Sequence, residues 1–455
     1  KSIYLYKGSE MRIILLSGGS GKNLWPLSNG TRSKQFLRLL TAPDGGKESM
    51  LQRIVRQVEE AGLNVPITVA TSQTQRDIVV NQLGNKVEVV TEPERRNTFP
   101  AIVLAASYLF FEKVCDPEES IVVMPCDSYT ELSYYDCIKR MVKAIEANEA
   151  ELMLMGIRPF DFSTDFGYIK TENSGGDFFR AVCFVEKPDI ETAKRLVSEG
   201  AYWNAGVFAF KLKYILNMMK KYMDAKSFLQ VRASYQNFPD ISFDYEVVEK
   251  ALSSAIVPYN GFWKDLGTWS ALCSELATSH SGNVIFDDRV KGTHVINELD
   301  VPLFCSGVNN MVVAASLDGI LIAGKDTCDD VKNHVDDFSV RPMYEERRWG
   351  TYKVIDQVDF RDGHHVLTKQ LNVKAGAHIS YQLHHHREEI WTFVSGEGRL
   401  VLDGNMKFVR RGDVIRIEKG HLHAVMADKD LCIIEVQSGD LLTEEDIERF
   451  EWKWE

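Results

Sequence analysis

Between Met11 and about residue 280, short apolar runs alternate with longer stretches in which apolar residues recur every three or four positions. "RIILLSG", "PITVAT", "KVEVVTE", "SIVVMPCDS" and "LMLMGI" are brief and almost wholly apolar at their centres. That is the pattern of strands buried on both faces. "SMLQRIVRQVEEAG", "FPAIVLAASYLFFEKV" and "YYDCIKRMVKAIEANEA" lie among them and predict helices. The alternation predicts an α/β domain over 11–280, built on a mainly parallel sheet, with ligands at the carboxyl ends of its strands.

From about residue 281 the helical period disappears. "NVIFDDRVKGTHVINELDVPLFCSGVNNMVVAASLDGILIAG" predicts a β-rich connector over 281–340. From Arg347 to Gly439 alternating strands are punctuated by Gly376, Gly396, Gly404, Gly412 and Gly420. Turns at that spacing predict a closed or double-sheet all-β domain over 341–455. "TEEDIERFEWKWE" predicts a short terminal helix, with Thr443 as its N-cap and acidic residues in its first turn.

Composition narrows the function classes. With 53 basic and 65 acidic residues the net charge is −12, which argues against a nucleic-acid or membrane-surface binder. No run approaches the roughly 20 apolar residues of a membrane span. Residues 1–10 lack the apolar core and cleavage site of a signal peptide. Met11 reads as the natural start, preceded by an added tail or an upstream extension. The eight cysteines are scattered, as expected of reduced thiols in a cytoplasmic protein.

Candidate chemistry begins at "LLSGGSGKNLWPLSNGTRSKQFLRLL". Gly18, Gly19 and Gly21 follow a predicted strand, and Lys22 and Lys34 lie within and beyond the turn. Glycines let backbone N–H groups converge on an anion. The spacing fits neither the dinucleotide fingerprint nor the phosphate loop of nucleoside triphosphatases. It does resemble the signature of sugar-1-phosphate nucleotidyltransferases. The likeness is nearest to bacterial mannose-1-phosphate guanylyltransferases that carry a fused phosphomannose-isomerase-like cupin. "EPERRNTFPAI", "MPCDS", "DFGYIK", "FVEKPD", "WNAGVFAF", "SFDYEVVEK" and "WKDLGTW" follow in the family's order.

The resemblance implies a Rossmann-like domain of the GT-A type that transfers GMP from GTP to mannose-1-phosphate, with a homodimer expected. Leu16, Gly18, Gly19, Gly21, Lys22, Asn23, Arg96 and Asn97 would surround the nucleotide. Lys34, Asp127, Lys187 and Asp265 would serve the reaction, Asp127 and Asp265 as Mg²⁺ ligands. Gly167, Glu186, Lys187 and Asn204 would hold the sugar phosphate. Three positions depart from the family: Asn23 for arginine, Ser33 for proline and Ser128 for histidine. Asparagine cannot supply a cationic fork. Either another cation compensates, or the chain is a slow, altered or regulatory member. Another sugar phosphate or another base is the remaining alternative.

In "GAHISYQLHHHREEIWTFVSGEG", Gly376, Gln382, His384, Glu389 and Gly396 fit the first cupin motif. Gly412, Gly420 and His423 fit the second, with Glu418 at its proline position. Alternation on two strands puts Gln382, His384 and Glu389 on one face, and His423 joins from another strand. This nitrogen and oxygen set suits Zn²⁺ or another divalent transition metal. The resemblance implies mannose-6-phosphate/fructose-6-phosphate isomerisation there. The alternative is a cupin kept for packing or oligomerisation, since Gln370 and Arg348 replace family residues.

Overall fold

A computed structural model describes residues 11–19, 21–172, 177–338 and 341–454. The expectation for residues 1–10 lies outside these. The chain divides into two compact units. The first comprises residues up to 19, 33–79 and 83–277, and the second 21–32, 80–82 and 278–454.

Apart from a short hairpin pairing Leu40–Thr41 with Lys47–Glu48, the strands of the first unit are β1 (Met11–Leu16), β2 (Ile67–Ser72), β3 (Glu88–Glu92), β4 (Ser120–Pro125), β5 (Ser128–Thr130), β6 (Leu152–Ile157), β7 (Tyr168–Glu172), β8 (Phe179–Val185), β9 (Tyr202–Lys211), β10 (Ser254–Tyr259) and β11 (Trp263–Asp265). Nine form one sheet in the order β3-β2-β1-β4-β9-β6-β10-β8-β7, and β5 and β11 form a separate pair. From β3 to β4 the strands are parallel, as the apolar runs predict. The other half is mixed. β9 runs antiparallel to β4 and β6, and its register slips between Asn204 and Phe208. Gly206, at φ 68°, lies inside that slip. One long strand therefore bends past the sheet's carboxyl edge, a shape that hydrophobicity does not encode.

Helices α1 (Met50–Glu60), α2 (Thr98–Phe111) and α3 (Ser133–Glu146) cover the sheet. Ser49 and Gln52 form a reciprocal capping box that starts α1, satisfying two backbone donors at its first turn. Apolar residues run all round α2, and Phe99 to Ser107 are buried, so this helix lies inside the core. One apolar cluster gathers Leu15, Ile54, Ile138 and Trp203, and another gathers Ile14, Phe99, Phe210 and Phe243.

In the second unit, β12 (His280–Ser281), β13 (His294–Asn297), β14 (Met311–Ser316) and β15 (Gly319–Gly324) form a four-stranded sheet. Residues 21–32 pack with it. Asn29 donates to Asp318 at 2.7 Å, Ser316 donates to the Pro26 carbonyl at 2.7 Å, and Arg32 makes a two-pronged contact with Glu298 at 2.8 and 3.0 Å. Beyond it lie β16 (Tyr344–Arg347), β17 (Gly350–Asp359), β18 (His365–Val373), β19 (Tyr381–Leu383), β20 (Arg387–Ser395), β21 (Glu397–Leu402), β22 (Asn405–Arg410), β23 (Val414–Ile417), β24 (His423–Ala427), β25 (Leu431–Gly439) and β26 (Glu448–Phe450). They form a six-stranded sheet (β16-β17-β18-β25-β20-β23) and a five-stranded one (β22-β21-β24-β19-β26). Both contribute to one core around Trp391, Phe393, Leu400, Val425 and Ile433.

The terminal helix expected from Thr443 onward is a misreading. The described residues there hold only the strand β26, which pairs with β19 through Tyr381↔Phe450 and Leu383↔Glu448. Trp452 packs on Tyr381 with ring centroids 5.1 Å apart. Strand pairing and aromatic burial outweigh the local capping signal.

Candidate active site and metal centre

Three residues predicted from separate segments meet at the carboxyl edge of the large sheet. Asp127 follows β4, Asp265 closes β11, and Lys34 opens a single 3₁₀ turn, Lys34–Phe36. Pairing of β11 with β5 sets Asp265 opposite Ser128, next in sequence to Asp127. Lys34 Nζ lies 2.8 Å from Asp127 Oδ2 and 3.8 Å from Asp265 Oδ1. Burial works against the Lys34 ammonium, yet Asp127 and Asp265 outweigh it and raise its pKa. Burial and then the Asp127 charge push Asp265 up to about 6. Asp265 Oδ1 is buried and accepts no hydrogen bond among the described residues. A hard-oxygen pair with an unsatisfied atom is the donor set Mg²⁺ takes.

Gly267 permits this crowding, and the motif reading assigned it no part. A Cβ there would fall 2.8 Å from Asp265 Oδ1 and 2.9 Å from Lys34 Nζ. Its segment, "WKDLGTW", was legible, but the contact was not.

A second cluster joins Gly167, Glu186, Asn204 and a residue that the motifs leave without a role, Asp244. A Cβ on Gly167 would stand 2.5 Å from Glu186 Oε2, so only glycine lets that carboxylate close on the backbone. Asn204 donates from its backbone to the Gly167 carbonyl at 2.8 Å and from its amide to Asp244 Oδ1 at 2.7 Å. Lys187, itself exposed and at φ 44°, brings its Nζ to 4.0 Å from Glu186 Oε1. Burial first, and then the Asp244 charge, push Glu186 up to about 7, with Lys187 opposing.

The expected nucleotide-binding residues are more dispersed. Leu16 ends β1. The Gly19 carbonyl is held by the Ser33 hydroxyl at 3.0 Å and the Gln75 amide at 3.2 Å. Ser33, which departs from the family's proline, thus clamps the start of the turn. Gly18 faces Glu92, whose Oε2 lies 3.9 Å from where a Cβ would stand. Burial pushes Glu92 up to about 7, although Tyr235 donates to it at 2.5 Å. Arg96 pairs with Glu94 at 2.7 Å and donates to the Phe238 carbonyl at 2.8 Å. Asn97 caps α2 by accepting from Thr98 N. Gly21, Lys22 and Asn23 group with the second unit, where Lys22 pairs with Asp336 at 2.6 Å.

In that unit, three of the four predicted cupin ligands, His384, Glu389 and His423, bring ligand atoms within 4.8 Å of one another, and all are buried. His384 Nε2 lies 3.1 Å and His423 Nε2 3.5 Å from the Glu389 carboxylate. Gln382 sits opposite His423 in the strand register, its amide 3.4 Å from His384 Nε2. The Nδ1 atoms of His384 and His423 face the carbonyls of Asp446 and His421 at 2.6 and 3.0 Å. Each Nδ1 therefore carries the proton, and each Nε2 lone pair points inward. His423 Nε2 is buried with no hydrogen-bond partner among the described residues. The set fits a divalent metal. Burial opposes the Glu389 carboxylate, and the lowering that His384 and His423 bring requires a proton on Nε2, the place a bound cation would take. Arg387 Nε also donates to Glu389 at 2.9 Å, and the Trp391 indole bridges Glu389 and Glu435 at 3.0 and 3.1 Å. The sequence missed these supporting groups, and Asp446 as well, because they lie beside or far from the motif positions.

An α/β unit with paired aspartates and a lysine at its carboxyl edge, joined to a β unit with a buried histidine–glutamate cluster, defines a nucleotidyl-transferring enzyme with a sugar-phosphate-isomerase-like appendage. The nucleotidyl transferase family matches residues 12–281, and the mannose-6-phosphate isomerase C-terminal family matches residues 337–452. The chain belongs to the nucleotidyl transferases that carry this isomerase-like domain, the family of the mannose-1-phosphate guanylyltransferases. It is 32% identical to the mannose-1-phosphate guanylyltransferase of Escherichia coli K12 over 97% of this chain and 98% of that one. It is also 32% identical to the alginate biosynthesis protein AlgA of Pseudomonas fluorescens, over 96% and 95% of the two chains. Among solved structures it resembles a mannose-1-phosphate geranyltransferase from Thermus thermophilus, with a TM-score of 0.59 and 26% identity over 72% of this chain and 99% of that one. No helix among the described residues is long and apolar enough to cross a membrane.

Proposed function

We propose that this chain transfers GMP from GTP to mannose-1-phosphate, releasing pyrophosphate and forming GDP-mannose. The observation that carries the reading is Lys34 set between Asp127 and Asp265, in a chain about one-third identical along its length to guanylyltransferases. Asp127 and Asp265 would hold Mg²⁺, which when bound neutralises charge growing on the α-phosphate. Lys34 gives a fixed cation beside them for the same phosphate. Lys187 holds the sugar's phosphate as a compact point charge, and Glu186 and Asn204 orient the hexose. With both reactants held, a sugar-phosphate oxygen attacks the α-phosphorus in line and pyrophosphate leaves, without a covalent enzyme intermediate. The glycine-rich turn after β1 receives the triphosphate. All eight cysteines are free thiols, which suits the cytoplasm, where GTP is available.

The second unit's β domain is read as a cupin barrel whose Gln382, His384, Glu389 and His423 hold a divalent transition metal. The fixed histidine tautomers support this. A metal there would polarise the oxygens of an opened hexose phosphate, consistent with interconversion of mannose-6-phosphate and fructose-6-phosphate.

Pyrophosphate release screened over the nucleoside triphosphates and a set of sugar-1-phosphates tests the transfer reading. GTP with mannose-1-phosphate is expected to give the highest kcat/KM, and silence with every pair overturns the reading.

A further inference from the structure

We propose that Asp244 determines sugar specificity: its carboxylate, tied to the Asn204 amide beside Glu186, accepts hydrogen bonds from the hydroxyls of the hexose. The inference rests on the nucleotidyl-transfer reading and deepens it at the sugar end.

Asp244 opens a π-helical turn, Asp244–Val248, closed by the Glu249 N–H bonding to the Asp244 carbonyl at 3.0 Å. Such turns are rare and gather at functional sites. This one is pinned on both sides of Asp244. Phe243 is buried and donates its N–H to Thr98 Oγ1 at 2.8 Å, and Val247 and Val248 are buried beyond. Glu246, on the same turn, is tied down by Tyr222 at 2.6 Å and Lys250 at 2.7 Å. The Asp244 side chain is thus delivered from a rigid base.

At its tip the carboxylate meets Asn204. That amide is nearly saturated: its oxygen accepts from Gly206 N at 3.1 Å and one N–H goes to Asp244 Oδ1 at 2.7 Å. One amide N–H remains. No other side chain among the described residues donates to Asp244. Beside the Lys187 ammonium, the site therefore offers two carboxylates, Glu186 and Asp244, and one amide N–H. Each hexose hydroxyl has a proton to give and lone pairs to receive, so this set complements adjacent hydroxyls.

A purely structural role explains the charge poorly. An asparagine at 244 would accept from Asn204 equally well. It would spare the cost of holding two half-buried carboxylates close enough for one to raise the other's pKa. Burial leads the upward shift of Asp244 itself, and a backbone N–H of its own turn, the Asn204 amide and the Lys187 charge together only partly offset it. Unused, the second charge is a liability. Facing a polyol, it is a strong acceptor.

The test measures pyrophosphate release with mannose-1-phosphate and its monodeoxy analogues, in wild type and D244N, with Asp244→Ser as a second variant. Wild type is expected to prefer the parent sugar over at least one analogue by about ten-fold or more, the worth of a charge-assisted hydrogen bond. In D244N that preference should shrink to about two-fold, with the KM for GTP held at the wild-type value. A folded D244N that keeps the full preference, or that loses all substrates equally, overturns the inference while leaving the transfer reading standing. Failure of both variants to fold makes Asp244 a structural residue and overturns it too. A wild type that releases no pyrophosphate with any sugar phosphate removes the transfer reading and this inference together.

Discussion

Lys34 Nζ stands 2.8 Å from Asp127 Oδ2, so a fixed cation already partners one of the two carboxylates assigned to the metal. The geometry assigns the aspartates and the lysine to one charge-neutralising unit. Asp127→Asn and Asp265→Asn are each expected to lower nucleotidyl transfer by roughly two orders of magnitude or more, with the melting temperature little changed. Pyrophosphate release near the wild-type rate at saturating Mg²⁺ would reject the assignment.

Gly267→Ala tests the same unit from behind. The new methyl must displace Asp265 or Lys34, since its ideal position is within 2.9 Å of both. We expect kcat to fall by about ten-fold or more, because small misplacements of reacting groups are costly. Circular dichroism and melting curves should stay close to wild type. Unchanged kcat would show that the pair tolerates separation.

Asn23→Arg is expected to raise kcat/KM for the triphosphate by about ten-fold, as a charge-assisted contact replaces a neutral one, without altering sugar preference. Lys22 is the first candidate to compensate for the missing arginine, but it is paired with Asp336 at 2.6 Å. Such exposed pairs are weak, so Asp336→Asn should release Lys22 and recover only a small part of the gain. Flat or reduced turnover in Asn23→Arg means that another cation already fills the role.

Glu186 carries a pH signature. Its folded pKa is about 7, against about 4.3 in an unfolded chain. Between those values the folded protein holds the extra proton, so this group's contribution to stability falls as pH rises. Glu186→Gln removes the effect. The melting temperature of the variant minus that of wild type should therefore increase from about pH 5 to about pH 8. A flat difference across that window argues against a raised Glu186.

For the β domain, His384→Ala with His423→Ala should abolish bound transition metal, measured by elemental analysis after reconstitution, while pyrophosphate release persists. Asp446→Ala is subtler. Its carboxylate accepts from the N–H groups of His385 and His386 at 2.9 and 3.1 Å, and its carbonyl orients His384. Loosening that loop should weaken metal affinity by about ten-fold. Absence of transition metal in reconstituted wild type would reduce the site to architecture.

Much of this was legible because it depends on local order. Asp127 follows an apolar run, the cupin glycines mark turns, and Gln382, His384 and Glu389 share an inner face that His423 joins from another strand. The rest depends on pairings the chain makes at long range. Lys22 finds its partner 314 positions away, and nothing near Asp244 announces a π-turn aimed at Asn204. The terminal segment misleads because Thr443 and its acidic neighbours imitate a helix start. Phe450, Trp452 and Trp454 instead follow a period of two, the better guide to a paired strand. Ser33 departs from the family's proline, yet its hydroxyl holds the turn by donating to the Gly19 carbonyl.

The interleaving of the two units has a consequence for how the protein can be handled and how it can evolve. The chain passes from one unit to the other five times, since each is assembled from three segments. Cleaving near residue 277 severs only the last passage. The piece left behind would still contain Arg32 and Asn29, stripped of Glu298 and Asp318. Although two family names divide the sequence neatly, the transferase match over 12–281 is not a cassette that recombination or cloning can lift out whole, because it holds Gly21–Arg32 and lacks the partners Glu298, Ser316 and Asp318. Exchange between relatives has to carry the Gly21–Arg32 segment together with the distant strands that grip it.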